Sequence, residues 1–370
     1  MPDDRTFVTE LATALGMLGG TEITEAVKLR SPEVRLSDEQ WDRLEDLTSS
    51  GTLGTDAHAA FENGRAFLDS PDALRGRRPI LVEWTGGRRP PGDEVAPIDL
   101  RVDHVFLVSC KYLSANIANP SPARLFDGLL ATAGDWVRGD WYLETAPEEL
   151  KKLYLACKRA SGEPDLPDDP VLLRPEDRQR LRRALPDRSL PEEARPAYGD
   201  LCRAVSLASA KRWNEAISRF GNPEQVLWRL LRIGSAPYYL LGANTRSPLR
   251  LRISSPWDWR QEFRFVSLEV AAASAGQPQV DWVGTYERRS SRRQASVRGH
   301  IEVRWSHGRF AKPPEAKIYL DTPTDRLPGY YPLCTSLRGP DVPVPEEMCM
   351  ADTQRQLFDD LDNDWSDWAD

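Results

Sequence analysis

The feature that most limits the fold is a change of hydrophobic period after residue 78. Before it the chain reads as helix. Leu11, Leu15 and Leu18 recur at helical spacing, and Ser37-x-x-Gln40 predicts a capping box opening a helix with Trp41, Leu44 and Leu47. Gly51 and Gly54 interrupt it, and another helix is expected from Asp56 to Leu68. Then Pro79-Ile-Leu-Val-Glu-Trp84 reads as a short apolar strand, and Ile98-Asp-Leu-Arg-Val102 alternates as a half-buried strand does. Asp103-His104 supplies a turn, Val105-Phe-Leu-Val108 is an apolar strand running into Ser109-Cys110-Lys111, and Leu125 to Leu130 returns to a helical pattern. The order helix, strand, strand, turn, strand, helix points to an α/β fold.

Downstream, residues 135–240 are helix-rich and charged, and from Leu249 the pattern is β again. The expected organisation is an N-terminal helical region (1–55), an α/β core (56–135), a helical region (136–245), a β-rich basic region (246–340) and an acidic tail (341–370). Hydrophobic residues make up 40% of the chain, which supports a packed protein. No apolar run reaches the roughly 18 residues that span a bilayer, and the N-terminus does not read as a signal peptide, so the expectation is a cytoplasmic protein with no membrane partner. Cysteines at 110, 157, 202, 334 and 349 show no CxxC spacing and fit reduced thiols. Four histidines, 58, 104, 300 and 307, lack ligand spacing, which argues against a zinc or HNH-type centre. Nucleotide-binding glycine motifs are absent.

The net charge of −8 is concentrated in the tail, where Glu346 to Asp370 holds nine acids and the single base Arg355. Residues 1–345 are neutral, and within them Tyr286 to Lys317 carries nine bases against Glu287, Glu302 and Glu315. Such an excess can follow a phosphate backbone, which makes Arg288, Arg289, Arg292, Arg293, Arg298, Arg304, Arg309 and Lys312 candidate nucleic-acid contacts. Trp257, Trp259, Trp282 and Trp305 lie in the same region and are candidates for stacking. His307-Gly308-Arg309 reads as a basic hairpin tip. In the tail, Leu357, Phe358, Leu361, Trp365 and Trp368 form one apolar stripe among like charges, suited to a partner protein or to the chain's own basic region.

Cleaving a phosphodiester with Mg²⁺ calls for carboxylates that hold the ion and benefits from a lysine that positions water and balances charge. Asp99 on one strand and Ser109 to Lys111 on its partner lie close across a ladder, and residues 109 and 111 share a face. Cys110 is expected to face away, and His104 to be structural.

With Pro97-Ile98-Asp99 and, after a gap, Ser109-Cys110-Lys111 fed by an apolar strand, residues 56–130 resemble the PD-(D/E)XK nuclease superfamily. That resemblance implies a restriction-endonuclease-like αβββαβ core. It also implies a Mg²⁺-dependent DNA endonuclease of restriction or anti-phage defence, working as a homodimer if it cuts both strands. Asp99 and Lys111 would be catalytic. Ser109 stands where the family has its second acid, so Glu83 or Glu62 is expected to complete the metal site with Asp99. Pro314-Glu315-Ala-Lys317, with Asp281 upstream, is a lesser match to the same motif. Two rival readings remain. Gln354-Arg-Gln-Leu-Phe358 is similar to a bacterial clamp-binding pentapeptide, which would suit a repair or replication accessory factor. A core that has lost its second acid would suit a catalytically inactive binding scaffold.

Overall fold

The computed structural model describes residues 3–49, 51, 53–86, 98–112, 118–131, 139–185, 190–243, 248–274 and 276–334. Pro97 and the whole acidic tail, with its clamp-like pentapeptide, lie outside the described residues.

Four helices lead the chain: α1 (Asp4–Gly16), α2 (Ile23–Leu29), α3 (Asp38–Ser49) and α4 (Gly54–Asp69), with the short strand β1 (Val34–Arg35) between α2 and α3. The capping box at Ser37 forms as expected: the Ser37 amide donates to Gln40 Oε1 at 2.8 Å, and the Gln40 amide donates to Ser37 Oγ at 3.3 Å. Next come β2 (Val82–Trp84), β3 (Leu100–Val102) and β4 (Phe106–Tyr112). The helical middle comprises α5 (Pro122–Phe126), α6 (Trp141–Thr145), α7 (Pro147–Ser161), α8 (Pro175–Ala184), α9 (Arg195–Phe220) and α10 (Pro223–Leu230). Strands β5 (Tyr238–Ala243) and β6 (Pro248–Ile253), helix α11 (Pro256–Glu262), and strands β7 (Phe263–Ser274), β8 (Pro278–Arg288), β9 (Gln294–Arg304), β10 (Glu315–Leu320) and β11 (Tyr330–Pro332) complete it.

The strands form two sheets, ordered β1-β2-β3-β4-β5-β6-β11 and β10-β9-β8-β7. The second is antiparallel throughout. In the first, β2, β3 and β4 run antiparallel in sequence order, and β5 returns beside β4 in parallel. A parallel neighbour needs a long crossover, and here the crossover is the entire helical middle.

Two cores result. On one face of the first sheet, Val82, Leu100, Val102, Val108, Tyr239 and Leu241 pack with residues of the first four helices such as Phe7, Leu11, Trp41 and Phe61. On the other face, Leu240, Leu251 and Ile253 share a core with Trp141, Trp213, Trp282 and Ile301, so the helical middle and the second sheet are sealed together. The expected divisions at 55 and 245 therefore cross packed structure. Helix α1 packs on α4, and β5 and β6, on either side of the second division, are neighbours in one sheet. Among the described residues no helix is long and apolar enough to cross a membrane.

Helices α1 and α4 touch backbone to backbone. A Cβ at Gly16 would stand 2.1 Å from the Phe61 carbonyl oxygen, and one at Gly64 would stand 2.1 Å from that of Thr13. A helical carbonyl cannot swing aside as a side chain can. Gly64→Ala is therefore expected to destabilise the protein by about 1–3 kcal/mol, read from its denaturant midpoint at unchanged m-value. An unshifted midpoint would show that the helices do not cross this closely.

Candidate active site

The β3–β4 hairpin pairs Leu100 with Val108, Arg101 with Leu107 and Val102 with Phe106. Its turn is Asp103-His104, both left-handed at φ of 51° and 57°, the backbone twist that two-residue hairpins favour. The Asp103 carboxylate fastens the turn by accepting the amides of Ile80 and Leu81, each at 2.8 Å. Sequence and structure agree on both strands and the turn.

Asp99 sits just before β3. Its amide donates to the Val108 carbonyl at 2.9 Å, and its own carbonyl accepts the Thr85 amide at 3.0 Å. Its side chain crosses the ladder: Oδ2 accepts the Cys110 amide at 2.6 Å and the Ser109 hydroxyl at 3.4 Å. The expected meeting of Asp99 with the 109–111 segment is thus present, with Ser109 fully buried. Lys111 lies two residues further along, half-buried and opposite Gly242 of β5. Only glycine fits at 242, because a Cβ there would stand 1.7 Å from the Lys111 carbonyl oxygen.

The two acids named as partners of Asp99 are engaged elsewhere. The Glu83 carboxylate faces Arg35 at 3.7 Å and His104 at 3.3 Å, which also gives His104 a structural partner. Glu62 pairs with Arg65 one helical turn away, at 3.1 Å. The acid under the influence of Asp99 is instead Glu10 of α1. Every residue from Phe7 to Gly16 is buried, Glu10 among them. The Trp84 indole donates to Glu10 Oε2 at 2.6 Å. Burial pushes the Glu10 carboxyl up to about 8, the negative charge of Asp99 pushes the same way, and the indole hydrogen bond opposes both. Cys110 does not face away from this neighbourhood as expected, but packs with the α1 core that holds Glu10, because its place on β4 alternates to that side: burial raises its thiol well above the ordinary range, and Asp99 and Glu10 add to the effect. Such a thiol stays protonated and is a poor nucleophile.

Glu10 escaped the sequence reading because it precedes the β-hairpin by almost ninety positions. The available signal was an acid inside an otherwise apolar or small helical run, Phe7-Val-Thr-Glu10-Leu-Ala-Thr-Ala-Leu15. A carboxylate in such a run needs a partner or a proton.

A directed chain of hydrogen bonds sets α1 against the sheet. Arg250 Nε donates to Asn63 Oδ1 at 2.8 Å, and Asn63 Nδ2 donates to the Gly242 carbonyl at 2.7 Å and the Tyr112 hydroxyl at 3.2 Å. The Thr13 hydroxyl donates to the Thr9 carbonyl at 2.8 Å, so Tyr112 is the donor in its 2.9 Å bond to Thr13. Five elements, β6, α4, β5, β4 and α1, are joined in this way, the last being the helix that carries Glu10.

Among the described residues no group of three or more His, Cys, Asp or Glu side chains gathers as metal ligands. Asp99 and Glu10 nevertheless suit Mg²⁺. They offer only oxygen, and this ion is commonly held by one or two carboxylates with water filling its shell. A bound divalent cation would let both acids ionise.

The lesser motif does not assemble. Glu315 and Lys317 lie on β10 and Asp281 on β8, with β9 between them. Glu315 faces His307 at 3.5 Å, Lys317 is opposite Glu302, and Asp281 is opposite His300.

The eight basic candidates are dispersed. Arg288, Arg289, Arg292 and Arg293 cluster at the β8–β9 turn, Arg298 is exposed on β9, and Arg304 pairs with Glu302 at 3.1 Å. Arg309 lies near enough to Cys157 and Tyr198 for its charge to act on both. Lys312 is exposed. His307-Gly308-Arg309 is not an open tip: Phe310 beside it is buried against Tyr154 and Trp305, and its carbonyl accepts Arg178 at 2.7 Å. Comparison with family models, curated proteins and solved structures finds no match to this chain.

Proposed function

We propose that the chain is a Mg²⁺-dependent DNA endonuclease with a restriction-endonuclease-like core, in which Asp99 and Glu10 hold the ion and Lys111 acts on the scissile phosphate. The observation that carries this reading is the Asp99 carboxylate, fixed by the Cys110 amide at 2.6 Å and the Ser109 hydroxyl at 3.4 Å to the strand that leads to Lys111, with the buried Glu10 carboxyl within range of its charge. The element order supports it too: α4, then β2, β3 and β4, then helices, then β5 parallel to β4, follows the αβββαβ order. The bound ion would neutralise charge on the phosphate and lower the pKa of a water. The backbone amide of Cys110 and the hydroxyl of Ser109 orient Asp99, and the Trp84 indole orients Glu10. Ser109 is then a positioning residue rather than a lost acid. Lys111 supplies a positive charge that the two carboxylates lack. The chain would act in the cytoplasm in restriction or anti-phage defence, and cutting both strands would call for two copies.

Lys111→Ala is expected to abolish Mg²⁺-dependent nicking of plasmid DNA while DNA affinity, measured with EDTA present, stays within a few-fold of wild type. Near wild-type nicking by this variant would place the chemistry elsewhere and overturn the proposal.

A further inference from the structure

Of the four tryptophans singled out as stacking candidates, the fold buries Trp259 and Trp282 and half-buries Trp305. Trp257 alone among these four projects outward, 74% exposed. It sits on α11, which Trp259 anchors by packing against Trp228, Phe263 and Tyr286. The Ser255 and Asp258 side chains cap the start of that helix, so its position is fixed at both ends.

The arginine-rich β8–β9 turn is pinned to the same helix. The Arg289 amide donates to the Glu262 carbonyl and its Nε to the Arg260 carbonyl, both at 2.8 Å. Arg260 lies three residues after Trp257, on the same side of the helix and about 5–6 Å away at Cβ. Residues 289–296 are all exposed, and Arg288 to Arg298 contains five arginines and no acid. The turn backbone is closed by bonds from the Arg292 amide to Arg288 and from the Arg288 amide to Arg293, at 2.8 and 2.9 Å. Buried Glu287 receives Arg264 at 2.7 Å and Arg292 at 3.2 Å, which stiffens the base of the turn. A stiff cationic turn therefore stands beside one solvent-facing indole.

We infer that this turn and Trp257 form a binding surface for single-stranded nucleic acid, with the arginines along the phosphates and the indole stacked on an unpaired base. The inference rests on the reading that the chain's partner is nucleic acid, and it names the strand form. Charge alone would suit any polyanion. The exposed indole adds a requirement for an aromatic face, which a base in a duplex conceals and a base in a single strand offers.

The test is fluorescence anisotropy of the full-length protein with a labelled deoxyoligonucleotide, alone and annealed to its complement, across a salt series with EDTA present. The single strand is expected to bind more tightly than the duplex. Trp257→Ala should weaken single-strand binding roughly tenfold at every salt concentration without altering the salt slope, and Trp257→Phe should recover much of it. Arg293→Ser combined with Arg298→Ser should lower the slope by roughly one to two, the share of two phosphate contacts. Trp257 is exposed, so its variants keep the wild-type melting temperature. Unchanged affinity on Trp257→Ala would overturn the inference, as would preference for the duplex, or heparin binding that matches the single strand and ignores Trp257. The nuclease reading is scored separately. Asp99→Asn should retain this binding, so a protein that binds through Trp257 and never cuts would end that reading and leave this one standing.

Discussion

Replacing Glu10 by Gln is expected to lower Mg²⁺-dependent cleavage by several kcal/mol of barrier, roughly 10³-fold or more in rate, in a protein that remains folded. Glutamine keeps the shape of the side chain and can still accept from the Trp84 indole, so the change removes charge and little else. The same loss is expected for Asp99→Asn, and because both groups would serve one ion, the double variant should be little worse than either single one. Glu83→Gln and Glu62→Gln, whose acids face Arg35, His104 and Arg65, should retain most activity. The measurement is single-turnover cleavage across a Mg²⁺ titration. If Glu10→Gln cuts normally while Glu83→Gln does not, the second carboxylate has been misassigned.

The second large effect is on stability. Without divalent cation, the protein should lose stability as the pH rises from about 4.5 to about 8, the ordinary and the native values for Glu10. Between those limits the unfolded chain ionises Glu10 and the folded chain keeps it protonated. Folding then takes up a proton, and raising the pH favours the unfolded state. The slope vanishes above about 8, where both states are ionised, and the accumulated loss is on the order of a few kcal/mol. On the proposed reading Mg²⁺ would select the ionised pair, so its stabilising effect should grow with pH over the same range. Thermal melts of wild type and Glu10→Gln, with Mg²⁺ and with EDTA, check both statements. The wild-type decline should be absent from the variant. Superimposed profiles would mean that Glu10 ionises in the fold as it does in water.

Local features were legible in the sequence. The Ser37 capping box, the Asp103-His104 turn and the approach of Asp99 to Ser109 depend on residues within a dozen positions of each other, where spacing translates directly into geometry. The placement of Glu10, the proposed second acid, depends on how α1 crosses α4 at Gly16 and Gly64, and no periodicity reports that contact. The strand pairing across residue 245 went unread for a related reason. Both flanking segments read correctly, one helical and one β, but strand order in a sheet is set by packing, and β5 and β6 pair across that point. The tryptophans show the limit of composition: four candidates looked alike in sequence, and only burial distinguished Trp257 from the rest.

The parallel pairing of β4 with β5 also determines when the hairpin strand is completed. Strand β4 receives one neighbour from its own hairpin, but the other arrives only after the chain has passed from Tyr112 to Tyr238 and folded the helices between. Closing so long a loop is slow relative to forming the hairpin. Until then β4 is an open edge next to an unfinished site, prone to pair with another chain. The nascent polypeptide therefore carries Asp99 and Lys111 early and gains the β5 neighbour of their hairpin late. A fragment ending near residue 135 is expected to aggregate rather than to cut.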